Sequence, residues 1–333
     1  MKQTKPVVAI AGASGYIGQH VRRKLKGKVH VIGLSRNGDH YQDTEDITWR
    51  SCDLFSIKDT EKAVVGADIA VYLAQALKPS AKLTQGNVAD RNAILSDNFA
   101  QAAKTQGVKK VICLTGPMPN SARKLSSHLK SRLEVERILR AYGTPVTAVR
   151  TGLVAEKPEQ HLFVTKDMPL KQDVRSVQRI IVPAGNSAHA IAKYYVRWLQ
   201  AFLRPWVRTE IDEKLHCTIG FLRPQCPLLE LTYSPERSTA DQALYDITDG
   251  LLTDKKQHHR GRMEFRKIPA SNEAIIAIHD YVPALPWFVY RYTQAIMHRF
   301  VMACFQRHMK QLGKRELMHG KFPEKEKGLN HSS

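Results

Sequence analysis

Three glycines at fixed spacing constrain this chain more than any other feature. Val7-Val8-Ala9-Ile10-Ala11 is a short apolar run. Gly12-Ala13-Ser14-Gly15-Tyr16-Ile17-Gly18 follows at once, and Ile17, Val21 and Leu25 then recur at helical spacing. A strand that turns sharply into an amphipathic helix uses the first glycine for the tight turn. The second lets backbone approach a ligand, and the third lets the helix pack closely on the strand. The first amides of such a helix have no intrahelical partner and sit at the positive end of its dipole, so the turn suits a diphosphate. The plainer reading is an ordinary strand–turn–helix with convenient glycines. The strand and helix flanking the loop favour the phosphate-binding one.

The alternation continues to about residue 150. Strands are expected at Val29–Leu34, Ile47–Cys52, Ile69–Leu73, Val111–Leu114 and Val146–Val149. Helices are expected at Lys58–Val65, closed by Gly66, at Ala89–Gly107 and at Ser131–Tyr142, closed by Gly143. Continuous apolar strands separated by helices predict an α/β fold with a Rossmann, doubly wound parallel sheet. Beyond residue 200 the rhythm changes. His216–Leu222, Leu228–Tyr233, Arg262–Ile268 and Ala274–Ile278 read as strands of an antiparallel sheet. Pro286–Leu312 reads as one long helix followed by Gly313. The expected organisation is a Rossmann domain over 1–203 and a smaller α+β domain over 204–313. A polar tail over 314–333 completes it.

Composition narrows the function classes. Hydrophobic residues make up 43% and charged residues 25% of 333, which excludes a mainly disordered chain. The five cysteines lie far apart with no Cys-x-x-Cys pair, so neither a disulfide framework nor a thiolate metal site is expected. MKQTKPVVAIAG runs straight into a strand pattern, and a cytoplasmic setting is the expectation. The net charge of +20 is either a solvated basic surface or a mark of an anionic partner.

The second strand bears on which dinucleotide is held. A free ribose 2′-hydroxyl takes an Asp or Glu at its end, whereas a 2′-phosphate takes an Arg. Gly33-Leu34-Ser35-Arg36-Asn37 offers Arg36 and no acid until Asp39. NADP(H) is therefore preferred, with NAD(H) the alternative, and a solvated Arg36 is the plain reading. Asp53 and Leu54, after the third strand, offer a carboxylate and amides to the adenine edge, although Asp53 could instead cap the next helix. The expected cofactor set is Gly12, Ser14, Gly15, Tyr16, Ile17, Gly18, Arg36, Asp53, Leu54 and Ala74.

Together these residues carry a family likeness. Gly12–Gly18 and Cys52-Asp53-Leu54 resemble the extended and atypical short-chain dehydrogenase/reductases. Leu125–Glu136, followed by Gly143-Thr144-Pro145-Val146-Thr147-Ala148-Val149-Arg150, resembles their NmrA-like, NAD(P)H-binding branch. The likeness covers about residues 5–200. It implies a Tyr-x-x-x-Lys pair on the helix after the fifth strand, in which lysine lowers the tyrosine pKa for proton exchange with a carbonyl. Here the pair reads Ser126-x-x-x-Lys130. A serine hydroxyl is a far poorer acid than a phenol, so turnover is put in question while cofactor binding is not. Thr115, His128 and Lys130 are the remaining catalytic candidates, with Lys130 able to hold the ribose. His128 also reads as a solvated helix histidine, Thr115 as a strand-end hydroxyl, and Tyr72 and Tyr142 as packing residues. Relatives usually carry an Asp where Val182–Ala190 leads into the next helix; here Asn186 or Ser187 would cap it. Gly152-Leu153-Val154 matches the stretch that covers the nicotinamide. Gly261–Arg266 and His279–Trp287 resemble a domain of unknown function similar to the helix-grip, START-like fold, which implies an apolar small molecule as a ligand.

Residues 291–315 hold Arg291, Arg299, Arg307, Lys310, Lys314 and Arg315 with no acid, interleaved with Ile296, Phe300, Val301 and Phe305. Such a helix either packs on its own sheet with arginines in water or lies peripherally on anionic membrane. No zinc-finger, RNP or helix-turn-helix signature accompanies the charge, so nucleic acid is not an expected partner. His258-His259 reads as loop. Three functions follow: an NADP(H)-binding sensor or scaffold with weak or no dehydrogenase activity, an NADPH-dependent oxidoreductase or isomerase acting on a small carbonyl, and a nucleotide-regulated membrane-surface or lipid-binding protein.

Overall fold

The computed structural model describes residues 5–76, 81–116, 125–151, 171–205, 207–212, 215–221, 227–254 and 261–316, without the side chains of 314–316. Gly152-Leu153-Val154, His258-His259 and the tail beyond 316 lie outside the described residues. Contacts divide the chain into two units, Met1–Lys78 with Asn87–Pro169 and Pro79–Gly86 with Leu170–Ser333.

The first unit opens with β1 (Val7–Ala11), α1 (Tyr16–Leu25), β2 (His30–Ser35), β3 (Ile47–Ser51), α2 (Ile57–Val64) and β4 (Ile69–Tyr72). A strand of the other unit, β5 (Ala81–Gln85), intervenes. The first unit then resumes with α3 (Val88–Thr105), β6 (Lys110–Thr115), α4 (Ser127–Arg140) and β7 (Val146–Arg150). Its six strands run in the order β3-β2-β1-β4-β6-β7, all parallel, so this is the expected doubly wound α/β sheet. Val7 aligns with His30 and Val8 with Ile69, which puts β1 beside both β2 and β4. Ile10, Ala13, Val31, Ile47 and Val71 form the core under α1. Side chains of Ser56, Asn87 and Ser126 accept the first free amides of α2, α3 and α4.

The second unit continues with β8 (Lys171–Ile181), α5 (Ala188–Phe202), β9 (Val207–Ile211), β10 (Cys217–Phe221), β11 (Pro227–Tyr233), β12 (Gln242–Asp249), β13 (Arg262–Lys267) and β14 (Glu273–Tyr281). Helices α6 (Trp287–Tyr292) and α7 (Gln294–Glu316) complete it. Its eight strands run β5-β8-β14-β13-β12-β11-β10-β9, antiparallel except for the β5–β8 pair. One face of the sheet is covered by α5 and α7. Tyr195 meets Phe305 edge-on at 5.0 Å and Phe265 at 5.7 Å within that layer.

Two expectations are corrected here. The boundary does not fall at residue 203, because β8 pairs with β14 and α5 packs beneath the same sheet, so 171–203 belong to the second unit. The terminal helix is two helices. Thr293 leaves the helical region (φ −121°, ψ −86°), and its hydroxyl donates to Val289 O at 2.6 Å. A carbonyl taken by a side chain this way bends or breaks a helix. Gly313 lies inside α7 rather than after it. Ser187, and not Asn186, caps α5 by accepting Ala190 N–H at 3.2 Å; the Asn186 amide donates to Pro183 O.

Candidate dinucleotide site

The glycine loop is a backbone cradle. Gly12 has φ +88°, a region that side-chain-bearing residues seldom enter, and a Cβ there would lie 3.2 Å from the Leu73 carbonyl carbon and 3.3 Å from Ala74 N. The turn is closed by Gly15 N–H donating to Gly12 O at 3.1 Å. A Cβ on Gly18 would sit 2.2 Å from Gly12 O and 2.7 Å from Ala13 Cα, so α1 can approach the loop only through glycine. Arg22 Nε donates to Ala13 O, and the Gln19 amide donates to Ser14 O, both at 3.0 Å, so the loop is braced from α1.

This helix begins differently from its neighbours. Its N-cap is Gly15, and among the described residues no side-chain oxygen takes its first amides; its first turn holds no acid. By contrast α2, α3, α4 and α5 are each capped by a Ser or Asn. Uncapped amides behind a glycine turn, at the positive end of a helix dipole, fit the diphosphate of a dinucleotide. The order β3-β2-β1-β4 puts the chain reversal beside β1, at the crevice where ligands of such sheets bind.

The other expected residues gather at the carboxyl ends of these strands. Arg36 follows β2, is exposed, and among the described residues no hydrogen bond or ion pair engages it. Asp53 follows β3, where its carboxylate accepts Phe55 N–H at 3.2 Å and its carbonyl accepts Ser56 N–H at 2.8 Å. It shapes the turn into α2, and Ser56 is the cap. Leu54 O accepts the Asn98 side-chain amide at 2.8 Å. Ala74 follows β4, against Gly12. Tyr16 and Ile17 open α1, half-buried.

The catalytic candidates do not come together in the same way. Thr115 ends β6, is 1% exposed, and its hydroxyl accepts from Arg150 Nη1 at 3.1 Å. Arg150 in turn pairs with Glu136 at 2.6 Å, and Glu136 also holds Arg140 at 3.1 Å. His128 and Lys130 lie exposed on the first turn of α4. Ser126, read above in place of a tyrosine, is the cap of α4, accepting Leu129 N–H at 3.2 Å. Nearby acids are weak. Burial pushes the Cys52 thiol up to about 12 and the Cys113 thiol up to about 11, and it raises the Tyr72 phenol beyond its usual range. Tyr142, read as a packing residue, is half-buried; its phenol donates to Asp97 at 2.5 Å and accepts from the Gln101 amide at 3.0 Å.

The sequence reading missed the Glu136–Arg150–Thr115 network and Asn92. The Asn92 side chain accepts Ala76 N–H at 2.8 Å just beyond β4, fixing the chain where it leaves the crevice. Two acids, Glu134 and Glu136, in an otherwise basic helix are the local hint of the first; nothing local marks the second.

The fold and the loop define a Rossmann-type protein of the NAD(P)H-binding class. The chain belongs to the NAD(P)H-binding family, whose model matches residues 12–184. It is 30% identical over 309 residues to the auxiliary protein GraX of Staphylococcus aureus, covering 91% of this chain and 92% of that one. Solved structures similar to it include the Citrobacter sp. triphenylmethane reductase complexed with NADP(H), at 19% identity and TM-score 0.36 over 45% of this chain and 50% of that one. An NADPH-dependent quinone oxidoreductase from Escherichia coli, complexed with NADPH, matches at 21% and 0.35 over 43% and 48%. The Bordetella bronchiseptica enzyme WbmH in complex with NAD+ matches at 19% and 0.36 over 44% and 56%. The chain spans about half the length of these three structures.

Proposed function

We propose that this protein binds NADP(H) as a sensor or scaffold, with weak or no dehydrogenase turnover. The uncapped start of α1 behind Gly12 and Gly18 carries the proposal. Amides of the 14–18 turn take the diphosphate, Arg36 takes the 2′-phosphate as a bidentate partner, and Asp53, Leu54 and Ala74 line the adenosine side. When bound, the reduced nicotinamide would supply a hydride. This chain offers it little proton chemistry. The tyrosine the resemblance implies is replaced by Ser126, a helix cap, and Thr115, 1% exposed beneath Arg150, is closed to a substrate. The description of GraX as an auxiliary protein agrees with a role beside another protein's activity.

The test is calorimetric titration with NADPH and NADH on wild type and Arg36→Ala, alongside cofactor consumption with a panel of small carbonyls. NADPH is expected to bind at least about tenfold more tightly than NADH, and Arg36→Ala to erase the difference, a change of ~1.4 kcal/mol. No consumption is expected. Steady consumption abolished by His128→Ala or Lys130→Ala would instead make the protein an NADPH-dependent oxidoreductase with those residues as its acids.

A further inference from the structure

The helical layer of the second unit holds no acid before its last residue, Glu316. Between Asp173 and Glu210, and again between Asp280 and Glu316, the sequence contains no Asp or Glu. These two stretches contain α5, α6 and all of α7 except its last residue, Glu316. Within them Lys193, Arg197, Arg204, Arg291, Arg299 and Arg307 are exposed. The unit's carboxylates, such as Glu230, Asp246 and Glu264, lie on its strands and loops instead.

The same layer exposes large apolar side chains. On α7 one face is core, with Val301, Met302, Phe305 and Met309 buried against the sheet. The opposite face, continued along α6, repeats every four residues. Phe288 is 77% exposed, Tyr292 60%, Ile296 46% and Phe300 56%. Phe288 packs against Tyr292 at 5.2 Å, and Phe300 reaches Phe202, at the end of α5, at 6.2 Å. A stripe of aromatics at this spacing is costly to leave in water, and a folded chain seldom does so without a use for it.

We infer that this face is a membrane-docking surface, on which α6 and α7 lie in the plane of an anionic bilayer. Charge argues for lipid over a protein partner. Along α6 and α7 the stripe over 288–300 is interleaved with cations alone, and no carboxylate precedes Glu316 on these helices to set register with a protein surface. Rings would enter the boundary between headgroups and acyl chains while Arg291, Arg299 and Arg307 remain among the phosphates. No described helix is long and apolar enough to cross a membrane, so the contact is peripheral. The break at Thr293 separates α6 from α7, and exposed apolar side chains, Phe288 and Tyr292 before it and Ile296 and Phe300 after it, lie on both sides.

The experiment is co-sedimentation of the full chain with vesicles of equimolar phosphatidylglycerol and phosphatidylcholine, compared with phosphatidylcholine alone, at low and high salt. The protein is expected to pellet with the anionic vesicles at low salt and to be released by high salt. Phe288→Ser with Phe300→Ser should lower the partition coefficient by at least about tenfold. Arg291→Gln with Arg299→Gln should weaken binding and flatten its salt dependence. All four positions are exposed, and unchanged melting temperature and circular dichroism check that each variant folds. Three outcomes would overturn the proposal: no binding to anionic vesicles, binding equal on neutral ones, or undiminished binding by the double Phe variant. So would a wild-type dimer in solution that the Phe variant dissolves while vesicles are ignored, because the face would then belong to a second copy.

Discussion

Replacing Gly15 by alanine separates ligand approach from folding. Gly15 has φ −73° and ψ 169°, extended backbone that alanine adopts without strain. Its added Cβ would lie 3.3 Å from Gly12 O, so the turn yields by a few tenths of an ångström. Glycine is the better N-cap by about 1 kcal/mol, so the melting temperature should fall by only roughly 2–4 °C. Affinity should fall further, because the methyl group projects from the turn whose amides receive the diphosphate. A tenfold to hundredfold loss in NADPH affinity is expected, ~1.4–2.8 kcal/mol. Gly18→Ala is the contrasting variant. Its Cβ would lie 2.2 Å from Gly12 O, backbone must move, and about 1–3 kcal/mol of stability should be lost together with binding. Calorimetric titration and thermal melts of both variants check this. Wild-type NADPH affinity in Gly15→Ala would refute the assignment of the turn to the diphosphate.

Two further outcomes follow from the packing. Glu136→Gln removes the carboxylate between Arg140 and Arg150 and should cost about 1–3 kcal/mol by urea denaturation; Arg150 is a third exposed, which keeps the loss below that of a fully buried pair. An unchanged midpoint would show that the network carries no stability. His298 donates to or accepts from Ser176 Oγ at 3.0 Å, and burial pushes its imidazole down to about 4. An unfolded imidazole titrates near 6.5, so the unfolded chain takes the proton first as pH falls. Stability should be complete above about pH 6.5 and decline toward pH 4, by no more than about 3 kcal/mol, with His298→Gln flattening that part of the profile. A decline of the same size in the variant would count against it.

The first unit was legible because its signals are local. Val7–Ala11 and Tyr16–Leu25 were read to the residue, since a glycine turn punctuates one period and starts another. Helices α2, α3 and α4 were found within a few residues of their ends. The second unit hid its edges. Nothing in the sequence marks β8 as a strand, because Asp173, Arg175 and Ser176 are buried on it and erase the apolar alternation. Burial of such groups depends on distant partners, Asp280 on β14 for Arg175 and His298 on α7 for Ser176. The short strand β5, between Pro79 and Gly86, carries only Ala81 and Leu83 as apolar residues, and its partner is also β8. Thr293 shows a third limit. Threonine sits in many helices, and only the bond to Val289 O reveals the break. At the site the glycines and Arg36 were legible from the motif. The engagement of Thr115 was not, since it depends on Arg150 at the end of a different strand.

The most direct test of the central claim reads the cradle itself. Backbone amide NMR shifts of the full chain, followed through a titration with NADPH, should change most at Gly12, Ser14, Gly15, Tyr16, Ile17 and Gly18, saturating at one nucleotide per chain. Shifts that saturate elsewhere and leave these amides unmoved, or no shift at all at about millimolar nucleotide, would contradict the account.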